Sequence, residues 1–176
     1  LLSLMVLAAA TIAAVLLHGL AVRVARRGLK GRDVFWSALL VRTRRPAGLA
    51  LVVMATSFAV AIAPLAEDQA ALARHVLLIA FILLVGWSAM TAVDIAAALY
   101  LRQFKIDVDD NLLARKHLTQ VKILRRALAV LVGLVTLSLA LMTISGVRQW
   151  GVSLLAAGGA ASLIVGLALQ PLLTNL

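Results

Sequence analysis

The chain has 176 residues, 64% of them hydrophobic and 14% charged, with a mean hydropathy of +1.07 and a formal net charge of +10. That is too apolar for a soluble domain of this length and points to an integral membrane protein. There is no cysteine, so a disulfide framework and thiolate metal or redox centres are excluded.

About 20 apolar residues cross a bilayer as helix, and five segments reach that length: 1–22, 47–66, 76–101, 127–146 and 150–170. The predicted fold class is therefore an all-α membrane protein with five transmembrane helices. The first run is followed, not preceded, by Arg23, Arg26 and Arg27, so it reads as a transmembrane helix with its N-terminus outside and not as a signal peptide. The opening at Leu1 and the ending in mid-pattern, "QPLLTNL", read as a piece of a longer protein.

The link after the first run, "RVARRGLKGRDVFWSALLVRTRRP", holds eight of the seventeen Lys and Arg residues and one acid. Inside it, "VFWSALLV" with Trp36 is apolar and flanked by basic residues, the pattern of an amphipathic interfacial helix. Arg44 and Arg45 then stand at the headgroup level, and Pro46 suits the first turn of the second span, where a missing N–H costs nothing. The third span carries Asp94 about two turns from its end. An intramembrane carboxylate is a functional candidate by default. For Asp94 the alternatives are a structural pair with Arg102 or a basic residue of a neighbouring link, a coupling role between outer helices and pore, and proton transport. Trp87, near the middle of the same span, reads as packing, with a lipid sensor as the alternative.

The second basic link, "RQFKIDVDDNLLARKHLTQVKILRR", holds seven more Lys and Arg residues. Asp109, Asp110 or Asn111 suits a helix N-cap, and the helix that follows brings Arg125 and Arg126 to anionic headgroups. "DVDDN" begins like a calcium loop, but Leu112 and Leu118 stand where that loop needs Gly and Glu. His18, His75 and His117 lie apart from one another and from carboxylates, so no metal, cofactor or catalytic constellation is expected. The links around Glu67–Arg74 and around Arg148 carry one basic residue each, which assigns the two rich links to the cytoplasm and leaves the C-terminus inside. Basic blocks that border spans answer to topology and membrane lipids, and no nucleic-acid partner is expected.

Trp150 opens the last span beside Arg148, as an interfacial anchor would. At about 100° per residue, with Gly159 at zero, Ser162 falls near 300° and Gly166 near 340°, Ala156 near 60° and Ala160 near 100°, with Leu163 near 40° and Leu167 near 80° between the two small faces. Small residues let membrane helices approach closely. A helix with two such faces can pack on copies of itself from both sides, giving a ring with Leu163 and Leu167 on its axis, an apolar constriction able to gate by dewetting; the same spacing of small residues also serves ordinary helix packing and transporters. Proline disfavours helix in the residue before it and removes a donor, so the helix is expected to break or bend at Gln170-Pro171.

The run from Arg125 to Leu176 resembles the small-conductance mechanosensitive channel (MscS) family, whose Gly/Ala-rich pore helix ends in Gly, Phe or Leu, Ala, any residue, Gln and, five positions later, Asn. Here the pattern reads Gly166-Leu167-Ala168-Leu169-Gln170 and Asn175. The resemblance covers about 50 residues and is similar in kind to a larger family member with extra N-terminal helices. It implies a homo-oligomer, typically a heptamer, in the inner (plasma) membrane, opened by tension to release ions and small osmolytes under hypoosmotic stress. Leu163 and Leu167 would be the sealing rings, and Gly159, Ser162 and Gly166 against Ala156 and Ala160 the sliding seam. Gln170 and Pro171 would form the kink before a lower helix holding Asn175.

Ser162, Ile164 and Pro171 depart from the family's usual small or flexible residues and imply a bulkier seam and a stiffer kink. The organisation expected is outer, tension-sensing helices over 1–101 with their basic link at 23–46, a cytoplasmic link at 102–126, a fourth span at 127–146, and pore helix with the start of the lower helix over 150–176. The family's cytoplasmic β-rich domain falls outside this sequence. A secondary transporter coupled through Asp94 and a non-conducting membrane scaffold are the competing readings, the first of which predicts paired interrupted segments.

Overall fold

An apolar run entering lipid must satisfy every backbone N–H and C=O within itself, which a helix does residue by residue. The computed structural model follows that demand. It describes the backbone of residues 2–28, 34–102 and 112–174 and the side chains of 3, 5–28, 39–101, 118–164, 166, 167 and 170. Among the described residues there are five α-helices and no strand: α1 (Leu2–Gly28), α2 (Val34–Ile62), α3 (Glu67–Arg102), α4 (Leu112–Met142) and α5 (Arg148–Thr174), with a 3-10 turn at Ser145–Val147 before α5. Four stretches, Met5–Gly28, Leu39–Ile62, Glu67–Leu101 and Leu118–Met142, are long and apolar enough to cross a membrane. The fifth expected span lies within α5, where the described side chains are interrupted at 165, 168 and 169.

Several threonine hydroxyls inside the helices are satisfied locally. Thr56 Oγ1 donates to the Val52 carbonyl at 2.6 Å, Thr91 to Trp87 at 2.9 Å and Thr136 to Val132 at 2.7 Å, the back-bonding that lets a polar side chain sit in an apolar helix.

The helices are longer than the hydropathy pattern alone suggests. The interfacial segment around Trp36 and the second span form one helix, so Pro46 sits in the interior of α2 and not in a first turn. Pro46 is buried, and because it has no N–H, the Arg42 carbonyl one turn earlier receives no helical hydrogen bond from it. The helix stops at Ile62, short of the expected 66, since Pro64 disfavours helix at Ala63. Ala63 N–H still donates to the Ala59 carbonyl at 2.9 Å.

α3 begins at Glu67, with Glu67 and Asp68 in its first turn where the helix dipole favours acids. Its 36 residues make it about 54 Å long, well beyond a ~30 Å hydrocarbon core. The second link's basic helix and the fourth span are likewise continuous as α4. α4 ends at Met142 in a tight turn, with Thr143 N–H donating to Ala140 at 3.2 Å and Ile144 N–H to Leu141 at 3.1 Å. Helical backbone runs on past Gln170 and Pro171 to Thr174, so the chain does not break its helix there.

Among the described residues each helix packs on its neighbours in sequence and on no other, α1 on α2, α2 on α3, α3 on α4 and α4 on α5. Close approach is made where a side chain is missing. A Cβ on Gly48 of α2 would lie 2.9 Å from His18 Nε2 of α1, one on Gly86 of α3 would collide with the Thr136 side chain of α4, and one on Gly151 of α5 would lie 2.5 Å from the Ser138 carbonyl of α4. Ser3 Oγ, near the start of α1, donates to the Pro64 carbonyl at 2.9 Å and ties that end to the α2–α3 turn.

The core is small, with Ala14, Val22, Ala59, Val60 and Leu84 buried, while large apolar side chains such as Met54, Phe58, Leu72 and Ile123 are exposed. In water that surface would drive aggregation. In lipid it is the ordinary outer surface of a helix array.

Candidate functional site

α5 presents two faces built from the same kind of residue. Gly151 and Gly158, seven apart, lie against α4: a Cβ on Gly158 would stand 2.9 Å from Leu134 Cδ2. Gly159 and Gly166, also seven apart, have no atom within 4 Å of where a Cβ would be. Ala156, Ala160 and Ser162 are exposed with them. Ser162 Oγ donates to the Gly158 carbonyl at 2.8 Å, so its hydroxyl is satisfied within the helix and the face remains small and smooth.

Leu163 and Leu167 are 66% and 61% exposed. On the angular scale set by Gly159, the α4-contacting glycines fall near 260–280° and the leucine pair near 40–80°, so the leucines point roughly 120–180° away from α4. The leucine pair overlaps the Ala156 and Ala160 face, near 60–100°, and lies beside the Gly159, Ser162 and Gly166 face, near 300–360°. Gln170 is exposed near the helix end. The side chain of Pro171, and Asn175 altogether, lie outside the described residues. Trp150, at the start of α5, is 71% exposed, the position of an interfacial anchor.

The second cluster forms where α2, α3 and α4 come level near their basic ends. Arg125 Nε of α4 donates to Asp94 Oδ1 of α3 at 2.6 Å, with side chains 54% and 34% exposed respectively. Arg42 of α2 donates from Nη1 to the Asp94 backbone carbonyl at 3.1 Å. Antiparallel packing sets this register: α2 and α4 both run away from the basic links, α3 runs toward one, and the three charged positions come level. Of the partners expected for Asp94, the structure selects a residue of the neighbouring link, Arg125. The Arg102 side chain lies outside the described residues.

Arg44, Arg45 and Arg126 are exposed. Arg45 also lines a cavity of about 700 Å³ beside Asp94 with Arg42, Trp87, Thr91, Lys122 and Arg125. The side chains of Trp36 and His117, and the residues of "DVDDN", lie outside the described residues. Among the described residues no group of three or more His, Cys, Asp or Glu side chains is placed to hold a metal.

Reasoning from sequence missed three features. Gly86 meets Thr136 at the α3–α4 crossing, for which the only signal is one glycine in an otherwise bulky run. Ser138 is fully buried against α5, and its Oγ is, among the described residues, the buried side-chain atom left without a hydrogen-bond partner. Arg42 and Lys122 join the Asp94 cluster across two helix interfaces, a register that no single helix encodes. No family model, curated protein or solved structure matches the chain.

Proposed function

We propose that this chain is the membrane part of a mechanosensitive channel of the MscS kind, a ring-shaped homo-oligomer, a heptamer by that resemblance, in the inner membrane. It has its N-terminus outside and its C-terminus in the cytoplasm, and it carries out no catalysis. The observation that supports this reading best is the outward face of α5: Leu163 and Leu167 stand exposed and turned away from α4, among small residues that no described residue covers. Copies of α5 meeting through those faces bury a polar-poor seam and bring the leucines to a common axis. Two stacked rings of leucine exclude water from a narrow bore and hold the path closed.

Opening follows from differential area. Lateral tension favours whichever state occupies more of the membrane plane, and rotation of α5 takes the leucines off the axis as the outer helices tilt. A bend within the continuous helix at Gln170-Pro171 lets the lower segment turn along the cytoplasmic surface. The conducted species are ions and small osmolytes, released under hypoosmotic stress with little selectivity, because the leucine-bearing face of α5 carries no charge.

Patch-clamp recording in liposomes under stepped suction tests this, with wild type beside Leu167→Ser. Pressure-evoked steps in wild type, and opening at lower tension or constitutive leak in the variant, are expected. Silence in both up to membrane rupture removes the channel reading and returns the weight to a transporter working through Asp94 or to a non-conducting scaffold.

A further inference from the structure

The cavity beside Asp94 has more positive charge than its own carboxylate answers. Four cations line it, Arg42, Arg45, Lys122 and Arg125, with one acid, Asp94. Asp94 is already committed: its carboxylate accepts from Arg125 and its backbone carbonyl from Arg42. Among the described residues no carboxylate pairs with Arg42, Arg45 or Lys122. Like charges brought together from α2 and α4 repel unless an anion lies between them, and a membrane leaflet supplies anions to a basic helix end.

The depth of the lining is graded. Lys122 lies one turn nearer the basic end than Arg125, while Arg45 lies one turn deeper than Arg42. Trp87, seven residues before Asp94 on α3, lies about 10 Å further toward the membrane centre and is itself 42% exposed. Thr91 stands between them, its hydroxyl already turned to the Trp87 carbonyl. A ligand matching this gradient is anionic at one end and apolar at the other. A free phosphate ion would satisfy the cations and leave the Trp87 end of the cavity unused.

We infer that the cavity between α2, α3 and α4 binds the phosphate of an anionic glycerophospholipid, its headgroup held by Arg42, Arg45 and Lys122 and its acyl chains passing Trp87. The bound lipid bridges α2 to α4, whose backbones do not approach each other closely among the described residues, and the Asp94–Arg125 pair keeps the fourth cation in place. The inference rests on the chain lying in a bilayer and is independent of whether it conducts.

The test uses the full chain carrying Trp36→Phe and Trp150→Phe, so that Trp87 is the remaining indole of this sequence, reconstituted in phosphatidylcholine vesicles. Phosphatidylglycerol with brominated acyl chains should quench Trp87 at a severalfold lower mole fraction than brominated phosphatidylcholine. Arg45→Gln and Lys122→Gln should each weaken that preference about fivefold, Arg45→Lys should keep it, and Arg26→Gln with Arg27→Gln on α1 should leave it unchanged. Equal quenching by the two lipids overturns the inference, as does a preference that survives Arg45→Gln with Lys122→Gln or that falls equally with the α1 pair. Inorganic phosphate that relieves the quenching at millimolar concentration assigns the cations to a soluble anion and overturns the lipid assignment. The readout is quenching alone, so a channel that fails to conduct leaves this result standing, and the reverse.

Discussion

Two stripes of glycine run along α5 at the same spacing, and among the described residues only one of them meets another helix. Gly151 and Gly158 let α4 approach until the Ser138 carbonyl and the Leu134 side chain occupy the room a side chain would take, whereas Gly159 and Gly166 face open space. The difference teaches that seven-residue spacing of small residues marks a helix made for close packing without naming the partner. The partner is set by which stripe the preceding turn aims at α4. The tight hydrogen-bonded turn from Thr143 to Val147 makes that choice here.

The comparison is broken most severely by filling the used stripe. Gly151→Leu places its Cβ against α4 backbone that cannot yield, and a loss of about 3 kcal/mol or more is expected from overpacking, measured as a fall in thermal unfolding temperature in detergent with the chain otherwise intact. Filling the open stripe should do the opposite to the single chain. Gly159→Leu and Gly166→Leu should keep or raise that temperature, since glycine inside a helix costs about 1 kcal/mol, while native mass spectrometry should show the proposed ring replaced by smaller species. If both stripes give the same stability loss, the open face is packed by the chain itself and the distinction fails.

Smaller effects sharpen the picture. Ser138→Ala removes a buried hydroxyl that has no partner, so stabilisation by about 1 kcal/mol is expected; destabilisation of that size would mean that Ser138 Oγ holds a hydrogen bond in the assembled protein. Asp94→Asn should cost under about 1 kcal/mol, because both partners of its ion pair are substantially exposed. The exchange Asp94→Arg with Arg125→Asp should recover most of that loss in a double-mutant cycle. A cycle with no coupling would show that the pair contributes geometry and no energy.

Much of the architecture is legible in the sequence because a bilayer imposes a length and a charge rule. The helices at Leu2–Gly28, Glu67–Arg102 and Arg148–Thr174 stand where apolar runs of crossing length occur. Their ends were less legible. Hydropathy marks the apolar core of a helix, yet charged residues with good helix propensity continue it beyond the core, so Arg42, Arg44 and Arg45 belong to the same helix as the second span and Leu112–Arg126 to the same helix as the fourth. Pro46 was read as a start because a proline usually is one; in a long helix flanked by packing on both sides it is accommodated inside.

Of the candidate site, the leucine pair and the small faces follow from helical period alone. The Asp94 cluster does not, because its members come from three helices whose relative register depends on two turns and on the glycine contacts at Gly48 and Gly86.

The strictly sequential packing of the helices has a consequence for synthesis. Because no helix waits for a distant one, each hairpin finds its contacts as soon as its second strand of apolar chain leaves the insertion machinery, and loop-closure entropy is small at every step. α1 and α2 dock before α3 is made, and so on along the array. When α5 emerges, only its α4-facing stripe has a waiting partner among the described residues, and in the proposed ring the face bearing Leu163 and Leu167 meets other copies only after the rest of the chain is in place.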